Sequence, residues 1–194
     1  MKPDFQISFN KAMSFEGYAN NNPADKGGFT YKGISRLMHP SWPGWKIIDN
    51  ILRSTDYQSV QQLNDNAVLQ TEVINFYRTE FWNKLQGDLL PSQLIADELL
   101  ESSINLGITA ASENLQRTIN LLNRNGKLYP DITVDGIIGS QTLETLNKCI
   151  AANGEKLIFN LLNFYQAKRY IEIMEHDRTQ EIFIGWFSRI AIIR

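Results

Sequence analysis

The sequence predicts a mainly α fold with one small β-hairpin near residues 17–35, and three observations carry that expectation. Apolar residues recur at three- and four-residue spacing along most of the chain. The polar breaks between these stretches are short, as in packed helical architectures. Only the segment 17–35 departs from the helical period, setting Tyr18, Phe29, Tyr31 and Ile34 among Asn, Gly and Thr in the manner of a hairpin.

Taken in order, Phe5, Phe9, Ala12 and Met13 share one helical face, and Leu69, Val73, Phe76, Tyr77 and Phe81 a second. Ile95, Leu99 and Leu106 mark the next helix, followed by Leu115, Ile119 and Leu122. Then come Leu143, Leu146 and Ile150, then Ile158, Leu161, Leu162 and Tyr165. Ile182, Trp186 and Ile190 give a last stripe. "KLYPDITVDGIIGSQT" (127–142) interrupts the helices with Pro130, Gly136 and Gly139, and with the loop at 87–93 it is the best internal boundary. Ser140 is expected to cap the helix that follows. No Gly/Ser/Pro-rich linker is visible, so residues 96–194 are expected to pack against residues 1–95.

Composition narrows the function classes. Nineteen Lys and Arg against 21 Asp and Glu leave no global positive field to hold a nucleic-acid backbone. No apolar run approaches the ~20 residues of a membrane span, and "MKPDFQISFNKAM" lacks the features of a signal peptide. Synthesis in the cytoplasm without a Sec signal is therefore expected. The single cysteine, Cys149, excludes an intrachain disulfide and a cysteine-based zinc site, and its apolar spacing in "LETLNKCI" puts it in the core. His39 and His176 show no metal-like spacing. "DITVDG" (131–136) starts like a calcium loop, but its twelfth position is Thr142 instead of Glu. Neither metal nor cofactor is expected.

The candidate chemistry lies in "SFEGYANNNPADKGGFTYKGIS" (14–35). Continuing the first stripe by three or four residues lands on Glu16, with Gly17 as the helix stop. Partial desolvation and the negative helix end both disfavour an ionised carboxylate there, which raises its pKa toward that of a general acid. Asp25 stands nine residues on, before Gly27 and Gly28, in a polar loop that keeps it charged. Two carboxylates in unlike settings are what glycosidic-bond hydrolysis uses, and Thr30 can position a water. The same residues also suit an ordinary helix end and turn. In "HPSWPGW" (39–45), Trp42 and Trp45 can stack indole faces on sugar rings. Trp82 and Trp186, within helical stripes, are expected in the core.

"EGYANNNPADKGGFTYKGIS" resembles the signature of the N-acetylmuramidases of glycoside hydrolase family 108, lysozyme-like proteins of phage and prophage lysis cassettes. "FYRTEFW" (76–82) and "ESSINLG" (101–107) continue the resemblance. "LQRTINLLNRNG", "VDGIIGSQTLETL", "YQAKRYIEI" and "IGWFSRI" are similar to the predicted peptidoglycan-binding region that accompanies the catalytic one. Two positions depart from the family pattern: Gly17 is followed at once by Tyr18, and Glu101 stands where the family has Asp. The resemblance implies a lysozyme-like helical fold with a catalytic region over 1–95 and a peptidoglycan-binding region over 96–194. It implies Glu16 as catalytic acid, and Asp25 and Thr30 echo the Glu, Asp, Thr set of phage lysozymes. Tyr18, Trp42, Trp45, Glu101 and Asn105 are the substrate-binding candidates. The expected partner is the glycan strand of bacterial peptidoglycan, met by a monomer that reaches the wall through a holin or another non-Sec route. Three readings stay open: a muramidase, a lytic transglycosylase on the same strand, and a non-catalytic wall-binding or secretion-assisting protein.

Overall fold

The computed structural model describes residues 2–14, 19–20, 29–54 and 59–194. Helices dominate, as expected, and the described chain divides into two compact units: residues 12–80, and residues 1–11 with 81–194.

In the unit 12–80, β1 (Ala19–Asn20), β2 (Thr30–Tyr31) and β3 (Ile34–Ser35) form an antiparallel sheet in the order β1-β2-β3. The expected hairpin is thus β2–β3, with one more short strand beside it. Lys32 and Gly33 join β2 to β3 with φ of 45° and 80°, the positive pair that a two-residue type I′ turn requires. Tyr31 and Ile34 pair across this turn, and both are fully buried. Helices α2 (Gly44–Ser54), α3 (Ser59–Asp65) and α4 (Ala67–Tyr77) complete the unit. Asn66 starts α4 by accepting the Leu69 N–H at 2.9 Å, which satisfies a donor left over at the helix start. The helix buries Leu69, Val73, Phe76 and Tyr77 at the spacing visible in the sequence. Two buried phenols then fix the hairpin: Tyr31 donates to the Leu63 carbonyl at 3.1 Å and Tyr77 to the Lys32 carbonyl at 2.6 Å.

The other unit contains α1 (Phe5–Met13) as far as Lys11, with α5 (Gln93–Leu106), α6 (Ile108–Leu121), α7 (Ser140–Asn153) and α8 (Glu155–His176). Single glycines, Gly107 and Gly154, join α5 to α6 and α7 to α8 at φ of 89° and 79°. Nothing lies within 4 Å of a Cβ built at either, so the backbone angle and not crowding calls for glycine. Helix α8 packs on α5, α6 and α7. It buries polar Asn163 and Gln166 among Ile158, Phe159 and Leu162. Cys149 is in the core, as expected.

Between α6 and α7 the chain is irregular, and α6 holds it by side chains one or two turns apart. Asn120 both donates to and accepts from the Ile132 backbone, at 2.8 and 2.9 Å. Gln116 accepts the N–H groups of Asp135 and Gly136 and donates to the Asp135 carboxylate at 2.7 Å. With the Ile137 N–H, that bond holds the Asp135 carboxyl below its usual range. "DITVDG" is therefore a structural loop read by an amide ladder.

Three expectations are corrected here. The N-cap of α7 is Gly139, which has no side chain to cap with, and Ser140 is the first helical residue. Of the last stripe, Ile182 and Trp186 fall on a 3₁₀ segment (Arg178–Arg189) kinked at Phe183, with none of its residues buried, and Ile190 follows it in extended conformation. Three residues per turn do not gather positions four apart on one face, so Ile182 stays 77% exposed. Trp186 is half-buried, stacked on Phe183 at 5.0 Å, whereas Trp82 is in the core.

Trp82 also supplies a stability test. Its indole N–H donates to Asp88 at 2.8 Å, and a Cβ on Gly87 would lie 2.3 Å from the ring. Gly87→Ala is expected to displace the indole and cost about 1–3 kcal/mol. Urea unfolding should show a lower midpoint with an unchanged slope.

Candidate functional site

Glu16, Tyr18 and Asp25 lie outside the described residues. Thr30 is half-buried in β2, opposite Asn20 of β1 and Ser35 of β3. Trp42 and Trp45 do not present open faces: they are 7% and 4% exposed and meet edge to face at 4.8 Å. Their indole N–H groups donate to the carbonyls of Glu72 and His39, and the Arg36 guanidinium covers the Trp45 ring at 4.7 Å. The prolines of "HPSWPGW" thus fold the indoles inward as core. Trp42 alone borders a cleft of about 310 Å³, together with His39, Ser41, Glu72, Asn75 and Thr79. The His39 ring meets Phe76 edge-on at 4.7 Å.

Glu101 and Asn105 belong to the other unit, and they bind each other. Asn105 donates to the Glu101 carboxylate at 2.7 Å, Gln166 of α8 donates at 2.8 Å, and Arg189 pairs with it at 3.3 Å. Glu101 is 5% exposed, so its carboxylate is engaged inside the unit. Burial raises its pKa, against the opposing pull of Gln166, Arg189 and Asn105.

Two further carboxylates on α5 escaped the sequence reading. Asp97 accepts Ser8 at 2.6 Å and Gln93 at 2.7 Å, and pairs with Lys11 at 3.5 Å. It thereby fixes the rotation of α1, the helix that leads toward Glu16. Glu98 is 5% exposed, and its Oε1 has no hydrogen-bond partner among the described residues. Burial first, then repulsion from Glu101, pushes its carboxyl up to about 8, while a hydrogen bond with Asn163 and the charge of Lys11 act the other way. The available signal was three acids, at 97, 98 and 101, inside an otherwise apolar helical stripe.

A family model described as Glycosyl hydrolase 108 matches residues 9–107, which contain every candidate site residue. The chain belongs to the glycosyl hydrolase 108 family. A second model, described as Predicted Peptidoglycan domain, matches residues 110–191 of this glycosyl hydrolase 108 member. Together they make it a glycoside hydrolase acting on peptidoglycan, with a region that binds that polymer. Among solved structures it is similar to that of Brucella abortus SagA, with 25% identity and a TM-score of 0.65 over 96% of this chain and 88% of that one. No curated protein sequence matches it significantly. Among the described residues, no helix is long and apolar enough to cross a membrane.

Proposed function

We propose that this glycosyl hydrolase 108 member is an N-acetylmuramidase, cutting the β-1,4 bond from N-acetylmuramic acid to N-acetylglucosamine with Glu16 as general acid. The observation that carries the reading is the family match over residues 9–107, which spans the whole "EGYANNNPADKGGFTYKGIS" motif. The local setting supports it. Helix α1 ends at Met13 with Glu16 just beyond, and Ser8 and Lys11 of that helix are bound by Asp97. Glu16 follows that helix by three residues in the sequence, and a helix C-terminal end favours the protonated form that must donate to the leaving oxygen. Asp25 serves as the second carboxylate, through water or through charge at the oxocarbenium-like centre, and Thr30 positions the water.

Product analysis tests the reading. Purified peptidoglycan incubated with the wild type should yield fragments with reducing muramic acid ends by mass spectrometry. Anhydro-muramic ends would make the enzyme a lytic transglycosylase. Intact strands after incubation with folded protein would leave only wall binding.

A further inference from the structure

A groove of about 310 Å³ opens between helices α6 and α8, with Leu106 at the end of α5 on its border and all its other lining residues within the region that matches the peptidoglycan domain. Ala110, Asn114 and Arg117 line it from α6 at positions i, i+4 and i+7, which share one helical face. Tyr165, Lys168, Arg169 and Glu172 line it from α8, in the stretch "YQAKRYIE". Three cations against one carboxylate make the lining positive on a chain whose net charge is −2.

Among the described residues these cations sit in surface ion pairs: Arg117 with Glu113 at 3.3 Å, Lys168 with Glu172 at 3.3 Å, and Arg169 with Glu172 at 3.8 Å. Ion pairs this exposed contribute at most about 1 kcal/mol, so a ligand carboxylate can replace the present partner at little cost. Guanidinium forks match a carboxylate in bidentate geometry. Half-buried Tyr165 adds an aromatic wall, and half-buried Asn114 adds an amide that both donates and accepts.

We propose that this groove binds the stem peptide of peptidoglycan, with Arg117 and Arg169 on a free peptide carboxylate and Lys168 as a further positive charge beside it. The N-acetylated sugars of the strand carry no charge when the lactyl group is amide-linked, so the carboxylates that complement this lining are those of the peptide. The inference rests on peptidoglycan as the substrate and not on which bond is cut.

Calorimetric titration of the full wild-type chain tests it. The probes are a soluble disaccharide-tetrapeptide in which N-acetylglucosamine precedes muramic acid, the same disaccharide stripped of peptide with its lactyl carboxyl kept as a simple amide, and the disaccharide-tetrapeptide with its carboxyls amidated. None contains the bond assigned to the enzyme, so turnover does not interfere. The first should bind at least about tenfold more tightly than either control. Its affinity should fall by about tenfold or more in the Arg117→Ala, Arg169→Ala double variant, and should weaken with added salt. Should that variant fail to fold, Arg117→Lys with Arg169→Lys keeps the charge, removes the forks and must still weaken binding. Equal binding of the stripped disaccharide, undiminished binding by a folded variant, or no binding of the first probe overturns the proposal. Cleavage of whole peptidoglycan without stem-dependent binding refutes the groove alone. Stem-dependent binding without cleavage refutes the enzyme assignment alone.

Discussion

Glu16→Gln is expected to lower the rate of glycan cleavage about 10²–10⁴-fold, or roughly 3 to 5.5 kcal/mol of barrier, since that is the usual contribution of general acid catalysis. The amide keeps the shape of the side chain and cannot supply the proton, so wall affinity and melting temperature should stay near the wild-type values. Asp25→Asn should be less damaging, because a charged group beside the reacting centre acts through water or through its field. Glu101→Gln should affect turnover least, since its carboxylate is engaged with Asn105, Gln166 and Arg189. Rates of reducing-end release from purified peptidoglycan give this order directly. Cleavage retained by a folded Glu16→Gln protein would falsify the assignment of the acid.

The pH dependence of stability should turn on Glu98. Its carboxyl titrates near 8 in the folded chain against 4.5 for an ordinary glutamate. The native state therefore holds a proton that the unfolded chain gives up. The stability this provides is fully present below about 4.5 and is lost as pH rises through 8. Across that window the loss is on the order of 5 kcal/mol. Glu98→Gln removes the titrating group while keeping a neutral side chain of the same size. Urea unfolding at the two ends of the window should give similar stabilities for both proteins at the acid end and a more stable variant at the alkaline end. Parallel curves for the two would remove Glu98 as the cause, because all other titrations are common to both.

The helices that read clearly from the sequence are those whose buried face is set by local periodicity. Leu69, Val73, Phe76 and Tyr77 of α4 show this, as do Ile95 and Leu99 of α5, because a helix brings residues three and four apart together whatever it packs against. The hairpin was legible for a related reason: Tyr31 and Ile34 flank a Lys-Gly pair whose backbone forms a two-residue turn. The family motif around Glu16 was equally a property of the linear chain, and the family match covers it.

What spacing could not carry was the environment of polar and aromatic residues. Two tryptophans in a proline-rich loop read as exposed, yet the carbonyl of Glu72, thirty residues away, accepts the Trp42 indole N–H within the core. Spacing gave no sign of Asp97 and the family resemblance made Glu101 a substrate-binding candidate, yet Ser8 binds the one and Gln166 and Arg189 the other from 65 to 89 residues away, which makes both carboxylates part of buried networks. The 3₁₀ segment at 178–189 differs from an α-helix in one hydrogen-bond register, a choice that residue spacing leaves open. Local order follows from backbone geometry that repeats every few residues, and the sequence alone determined it. Desolvation and partner choice depend on side chains far apart along the chain, and only the tertiary structure decided them.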